Sequence, residues 1–379
     1  MKKIAIDLVT IYPGKGGAGG GINTYAKNLL IHLDKLTDPQ KDQFKIYCLC
    51  NDEFDLKFDN IEIVKFEINA KKYFLRMIYI HILLPIFCIK NNVNLLHKLA
   101  SEIPIFSTAP LIVTIHDFMM EYCLENNLHP KTSILESLKI WYFLNIAKTA
   151  LRKAKYLITP SNTIRKEAIS RYKVNPDKIF VAELGAEDFT CVSKTVKEGP
   201  INIYYIAAFL PHKGHSKAIK IFQILRDKYN VNAHLHFRGN VNDEAFYNRV
   251  MNEVNQSSIK NKIFIINYDK NSSLNEIYSE ADCVWLFSEY EGFGLPLLEA
   301  QIHGIPVICS DIAIFQEVVS DSAILVKGSD DHIASDIAYF FDDKERWDKL
   351  IRKGSLNVSK YSWELFGQKI FNIYKKAIL

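Results

Sequence analysis

The stretch 281–310, ADCVWLFSEYEGFGLPLLEAQIHGIPVICS, constrains the fold of this 379-residue chain more than any other. A strand-type apolar run, 283–287, enters a polar turn with two glycines, 288–294, and a helix follows from about Pro296. Proline suits the first helical turn, where its missing N–H costs no hydrogen bond. Gly304 suits the residue just past the helix end, and 305–309 reads as the next strand. Strand, loop, helix, strand is a crossover unit, so the two strands lie parallel. A parallel sheet is covered by helices on both faces, which commits the chain to an α/β architecture.

The same grammar runs through the rest of the sequence. The strand 4–9 leads into a glycine-rich loop, 14–21, and a helix from about Ile22 to Leu36; further strands read at 44–50, 94–97, 111–115, 156–160 and 179–181. The composition turns linker-like at 191–200, and a second strand series begins at 201–207, with 235–237 and 263–266 after it. This predicts two doubly wound Rossmann-like domains, 1–192 and 200–361, with sites at the carboxyl ends of strands facing an interdomain cleft. The final helix, from about residue 362, carries Trp363, Phe366, Ile370, Phe371 and Tyr374 at helical spacing, the pattern of a core-packing face.

Composition narrows the function. Apolar residues at 48% and charged residues at 24% are globular values, and a formal charge of +4 gives no ground for a nucleic-acid partner. The mild basic excess is N-terminal: residues 1–190 hold 25 Lys and Arg against 20 Asp and Glu, the remainder 22 against 23. Seven cysteines without a C-x-x-C pair indicate neither a zinc site nor a disulfide framework, and a reduced cytoplasmic setting fits best. The start lacks the apolar core of a signal peptide, and no uninterrupted run reaches the length of a membrane span. Lys71, Lys72 and Arg76 precede an apolar run, 77–89, broken by Pro85. That run reads either as a core helix or as a contact with an anionic membrane surface.

Several residues carry candidate chemistry. Glu291 and Glu299 flank a helix N-terminus at which Gly292 and Gly294 leave backbone N–H groups open, a place for a phosphate beside hydroxyl acceptors. A capped helix with exposed acids would read the same way. Lys213, in the loop 210–214, suits the charge that develops on a departing diphosphate. His116 ends the strand 111–115, where open α/β sheets bind ligands. Gly14, Gly16 and Gly19 satisfy G-x-G-x-x-G, but no acid is well placed about 20 residues on, so a dinucleotide fingerprint is weak. No D-x-D occurs, and no metal site or cofactor is expected.

The string E-G-F-G-L-P-L-L-E followed by H-G-I-P-V-I resembles the signature of the retaining glycosyltransferases of family four, which have the GT-B fold, and within them the bacterial O-antigen and capsule mannosyltransferases. The resemblance implies that Glu291 contacts the donor sugar's hydroxyls, the amides near Phe293, Gly294 and Leu295 the sugar and diphosphate, and Glu299 the ribose. It implies that Gly20 and Gly21 lie against the donor's phosphate and sugar, that His116, within T-x-H-D, lies beside donor sugar and acceptor, and that Tyr268 lies near the base. Lys213 would be the diphosphate's cation. The chain departs from the pattern at Ala207 and Ala208, where glycine and a small or cationic residue are usual, and at His212, where arginine is common. Either His212 or Arg238 is then expected to supply the second cation. The implied reaction moves a hexose, best matched by mannose from GDP-mannose, to a glycan on a lipid carrier, without a metal, in a cytoplasmic protein that touches the inner membrane face. The last helix is implied to cross back to the first domain. A UDP-hexose donor, an inactive nucleotide-sugar-binding protein and an oxidoreductase using the loop 14–19 remain as alternatives.

Overall fold

A computed structural model of the protein describes residues 1–12, 17–37, 44–54, 57–128, 133–186, 199–267 and 274–378. The chain divides into two units, Met1–Gly185 with Trp363–Leu379, and Ala186–Ser362. The glycines Gly14 and Gly16, the linker-like segment 191–198 and Tyr268 lie outside the described residues.

The first unit is built on a seven-stranded parallel sheet of β1 (Lys2–Asp7), β2 (Phe44–Cys50), β3 (Ile61–Lys65), β4 (Leu95–Lys98), β5 (Leu111–Thr114), β6 (Tyr156–Thr159) and β7 (Ile179–Val181). Its order is β3-β2-β1-β4-β5-β6-β7. β4 and β5 are buried over their whole length and β1 and β2 over most of theirs, because helices cover both faces. The chain winds outward from β1 to β3 and then returns to the other side of β1, so a topological switch point falls between β1 and β4.

The second unit repeats the plan with six parallel strands: β8 (Ile201–Ile206), β9 (Ala233–Gly239), β10 (Ile263–Asn267), β11 (Cys283–Leu286), β12 (Val307–Ser310) and β13 (Ile324–Val326). The order β10-β9-β8-β11-β12-β13 places its switch point between β8 and β11.

Two elements differ from the sequence reading. The first helix begins at Gly17, not near Ile22, so Gly20 and Gly21 lie inside its first turns. Glycine is a poor helix former, which hides this start, but fifteen further residues and tertiary packing carry the helix through it. The run around Pro85 is not broken either: Tyr73–Lys90 is one helix of 18 residues, long and apolar enough by length and composition to cross a membrane. Its middle turn, Tyr79–Leu83, widens to π geometry, and the N–H of Leu84 bonds the carbonyl of Tyr79 five residues back. Widening the ladder by one residue accommodates a proline that cannot donate.

The last helix, Trp363–Ile378, belongs to the first unit. A Cβ on Gly367 would stand 2.5 Å from Cβ of His32, so the helix axes approach where glycine leaves room. Phe366 meets Tyr25 edge-on at 4.9 Å and Phe371 meets Phe44 at 6.1 Å. Burying each such ring contributes about 1.5–3 kcal/mol.

Candidate active site

In the second unit Lys213 and Glu291 meet. The Nζ of Lys213 lies 2.6 Å from Oε1 of Glu291, with the two side chains 16% and 12% exposed. The hydroxyl of Ser288 donates to the same oxygen at 2.8 Å. Lys213 follows β8 and Glu291 follows β11, so the pair stands at the carboxyl ends of the two strands that flank the switch point.

The local fold that brings them together is specific. Lys213 closes a 3-10 turn, Pro211–Lys213, and Gly214 then takes φ 72° to start the helix His215–Tyr229. A Cβ on Gly214 would fall 2.2 Å from the carbonyl oxygen of Phe287, so glycine is required by space as well as by φ. Beneath this crossing the buried Tyr205 donates its hydroxyl to the carbonyl of Lys213 and accepts from the N–H of Phe287 at 2.9 Å. The N–H of Glu289 donates to the carbonyl of His212 at 2.9 Å. One hydroxyl, bonded to both loops, and one backbone hydrogen bond therefore fix the lysine loop against the glutamate loop.

Beyond Glu291 the chain turns at Gly294, with φ 101°, into the helix Leu295–Ile302, where Pro296 occupies the first turn. The first N–H groups of a helix have no partner within it, so this end favours an anion. Phe293 is buried, edge-on to Tyr361 at 5.8 Å, and holds the turn down. On the same helix Glu299 accepts the buried hydroxyl of Tyr278 on Oε2 at 2.8 Å. Burial and the Glu299 charge hold that phenol well above its ordinary pKa, so it stays a donor. Arg238, near the end of β9, is close enough for its charge to act on Tyr278.

His212 lies in the same turn as Lys213. Its side chain is buried, and that burial, with Lys213 beside it, pushes its pKa down to about 4. A neutral imidazole carries no charge to a phosphate.

In the first unit His116 lies just past β5, and its Nε2–H donates to the carbonyl of Leu99 at 2.9 Å. A carbonyl only accepts, so the tautomer is fixed and Nδ1 presents a lone pair. Burial lowers its pKa to about 4. The ring of Tyr25 stands edge-on at 4.9 Å, and the Tyr25 hydroxyl is 2.9 Å from Oγ1 of Thr114. Thr114 in turn bonds Nε2 of His97 at 2.9 Å, and Nδ1 of His97 bonds the hydroxyl of Tyr374 at 2.6 Å. The last helix thus reaches the environment of His116 through a buried polar chain. Gly21 lies one turn before Tyr25 on the first helix, and a Cβ there would meet nothing within 4 Å.

Sequence reasoning missed Tyr205, Ser288, Tyr278, Tyr25 and His97. A polar residue inside a strand or helix stripe carries no local sign of its partner, and only Ser288, three residues before Glu291, offered one.

Two parallel α/β units, one of them pairing a cation with a carboxylate at strand ends, form the fold, and family comparison assigns it to the glycosyltransferases. Residues 19–187 match the model described as Glycosyltransferase Family 4, and residues 190–356 match Glycosyl transferases group 1. Together the two matches span nearly the whole chain, which belongs to the family-four glycosyltransferases of GT-B fold. The chain is similar to O-antigen chain mannosyltransferase B of Escherichia coli, 25% identical over 282 residues and 70% of each chain. It is also similar to the O-antigen chain mannosyltransferase RfbU of Salmonella typhimurium, 27% identical over 230 residues, 59% of this chain and 60% of that one. Its fold matches that of sucrose-phosphate synthase from Thermosynechococcus elongatus with a TM-score of 0.78 at 17% identity, over 99% of each chain.

Proposed function

We propose that this glycosyltransferase moves mannose from GDP-mannose to a growing glycan on a lipid carrier, with retention at the anomeric carbon, in the synthesis of a bacterial surface polysaccharide. The observation that carries the reading is the Lys213–Glu291 contact, a cation and a hydroxyl acceptor held together at a switch point. Lys213, with Arg238, takes the diphosphate, and the amides of Phe293, Gly294 and Leu295 add the partial positive charge of a helix end. Glu291 receives the sugar's hydroxyls and Glu299 those of the ribose. His116 offers Nδ1 to a hydroxyl of donor or acceptor. Gly20 and Gly21 let the donor approach the first helix. The acceptor's hydroxyl oxygen bonds the anomeric carbon as the bond from that carbon to the diphosphate breaks, and the departing phosphate oxygen takes the hydroxyl proton. No protein base and no metal enter this scheme. The two O-antigen mannosyltransferases support the choice of sugar and of product. A cytoplasmic protein in peripheral contact with the inner membrane face would meet such an acceptor.

Purified protein is given GDP-mannose or UDP-hexoses in EDTA, and nucleoside diphosphate release is followed beside Glu291→Ala and Lys213→Ala. Release from GDP-mannose alone, indifferent to EDTA and reduced at least a hundredfold by both substitutions, is the expected result. Release from a UDP-sugar would move the donor to the rival class. Binding without release, with lipid-linked acceptors present, would make the chain a nucleotide-sugar-binding protein and turn attention to Ala207 and Ala208.

A further inference from the structure

The first unit carries a buried ion pair that the proposed reaction does not use. Asp7 and Lys98 are each 1% exposed, and the Nζ of Lys98 donates to Oδ2 of Asp7. They stand opposite one another at the last positions of β1 and β4, the strands that flank the switch point. Beyond a switch point the loops diverge and leave a crevice. No strand pairing holds the ends of β1 and β4 together past this pair.

Burying two charges costs solvation that their attraction only just offsets, and an apolar pair of the same volume is often as stable. What the ion pair adds is direction. Asp7 accepts Lys98 on Oδ2, and on Oδ1 it accepts the Tyr79 hydroxyl at 2.7 Å and the N–H of Val9 at 3.0 Å. The end of β4 is thereby tied to β1 and to the helix Tyr73–Lys90.

The preceding residue holds the other face. Neighbouring side chains on a strand point to opposite sides, and the buried His97 bonds Thr114 just across on β5 and Tyr374 on the last helix. Residues 97 and 98 therefore anchor β4 on both faces of the sheet. The next residue, Leu99, supplies the carbonyl that receives the Nε2–H of His116 at 2.9 Å. That bond fixes the His116 tautomer, and it is only as well placed as the Leu99 peptide. A displacement of about 1 Å would take it out of hydrogen-bond range. The proton is then free to sit on Nδ1, which would donate where it now accepts.

We propose that the Asp7–Lys98 pair is a positioning element for His116: by fixing the end of β4 it keeps the Leu99 carbonyl on Nε2 and leaves the Nδ1 lone pair for a substrate hydroxyl. The inference rests on the reading of His116 as a group that meets a hydroxyl of donor or acceptor. Its first readout, the tautomer, needs no turnover, so the two fail separately.

Full-length protein is labelled with nitrogen-15 in its histidines, and long-range proton–nitrogen spectra near neutral pH report the tautomer of each imidazole. The His116 signals are those missing from His116→Gln. Asp7→Asn/Lys98→Met removes both charges, keeps both side chains at nearly their length and still offers Oδ1 to Tyr79 and Val9. Tyr79→Phe is the milder variant and takes one donor from Asp7. His116 of the wild type is expected wholly as the Nε2–H form. The double variant should show both tautomers, with kcat for nucleotide release from GDP-mannose lowered about tenfold or more and donor KM within about twofold. Tyr79→Phe should move both readouts the same way by a smaller step. A folded double variant whose His116 is still wholly Nε2–H overturns the inference, whatever its melting temperature, and so does a wild-type His116 protonated on Nδ1. Should the double variant fail to fold, an unmoved tautomer and kcat in Tyr79→Phe decide against it equally. Mixed tautomers in the variants beside a His116→Gln that turns over normally would uphold the positioning and remove His116 from the reaction instead.

Discussion

Tyr205 uses one hydroxyl to hold two loops, accepting from Phe287 and donating to Lys213. Removing that hydroxyl while keeping the ring leaves a buried N–H and a buried carbonyl unpaired, a loss of about 1–3 kcal/mol each at most. The contact between Lys213 and Glu291 depends on the same crossing, and displacement of catalytic groups by about 1 Å lowers rates by about a hundredfold. Tyr205→Phe is therefore expected to reduce the rate of donor turnover by 10- to 100-fold while KM for the donor changes less. Steady-state kinetics of nucleotide release check this; an equal change in KM with kcat intact would make Tyr205 a purely structural residue. Gly214→Ala should be harsher, because its Cβ would fall 2.2 Å from a backbone oxygen and φ is positive there. Little soluble protein, or a melting temperature lowered by several degrees, is the outcome expected.

At the scale of elements, the parallel α/β plan was legible because buried strands, glycine turns and helix stripes announce themselves locally. Gly304 and Pro296 marked the ends of their helix, which spans Leu295–Ile302. Gly17–Leu36 and Tyr73–Lys90 were misread for one reason: glycine and proline break helices by propensity, and tertiary packing overrode propensity in both. Glu291 and Lys213 were legible as a motif, but their ion pair spans 78 residues and no local pattern encodes it. His212 shows the limit of reading residue type, since the burial that lowers its pKa is invisible in the string. The last helix allows a test at this scale. Gly367→Val would drive a branched side chain into His32, and overpacking of this kind costs about 1–3 kcal/mol. Thermal unfolding of the first unit should shift down accordingly, whereas Leu365→Ala, at an exposed position of the same helix, should leave it unchanged.

Across the whole molecule, buried neutral histidines link stability to pH. His97 and His116 in the first unit are pushed down to about 3 and about 4, and His215 and His212 in the second to about 3 and about 4, in each case chiefly by burial. An unfolded histidine titrates near 6.5. As pH falls below that value the unfolded chain takes up protons that these four sites refuse, so the unfolded state is favoured increasingly until the folded values near 3–4 are reached. One unit below 6.5 the linkage amounts to about 1.4 kcal/mol for each histidine. Two of the four lie in each unit, so both units are expected to lose stability on acidification from pH 7 to 5. His215 packs against Phe209 at 4.5 Å and Phe237 at 5.2 Å, surroundings that suit a phenyl ring. In His215→Phe the pH dependence of unfolding free energy over this range should shrink by the contribution of about one proton, which denaturant titrations at several pH values would register. An unchanged slope would mean that His215 takes up its proton equally in both states, against the burial that surrounds it.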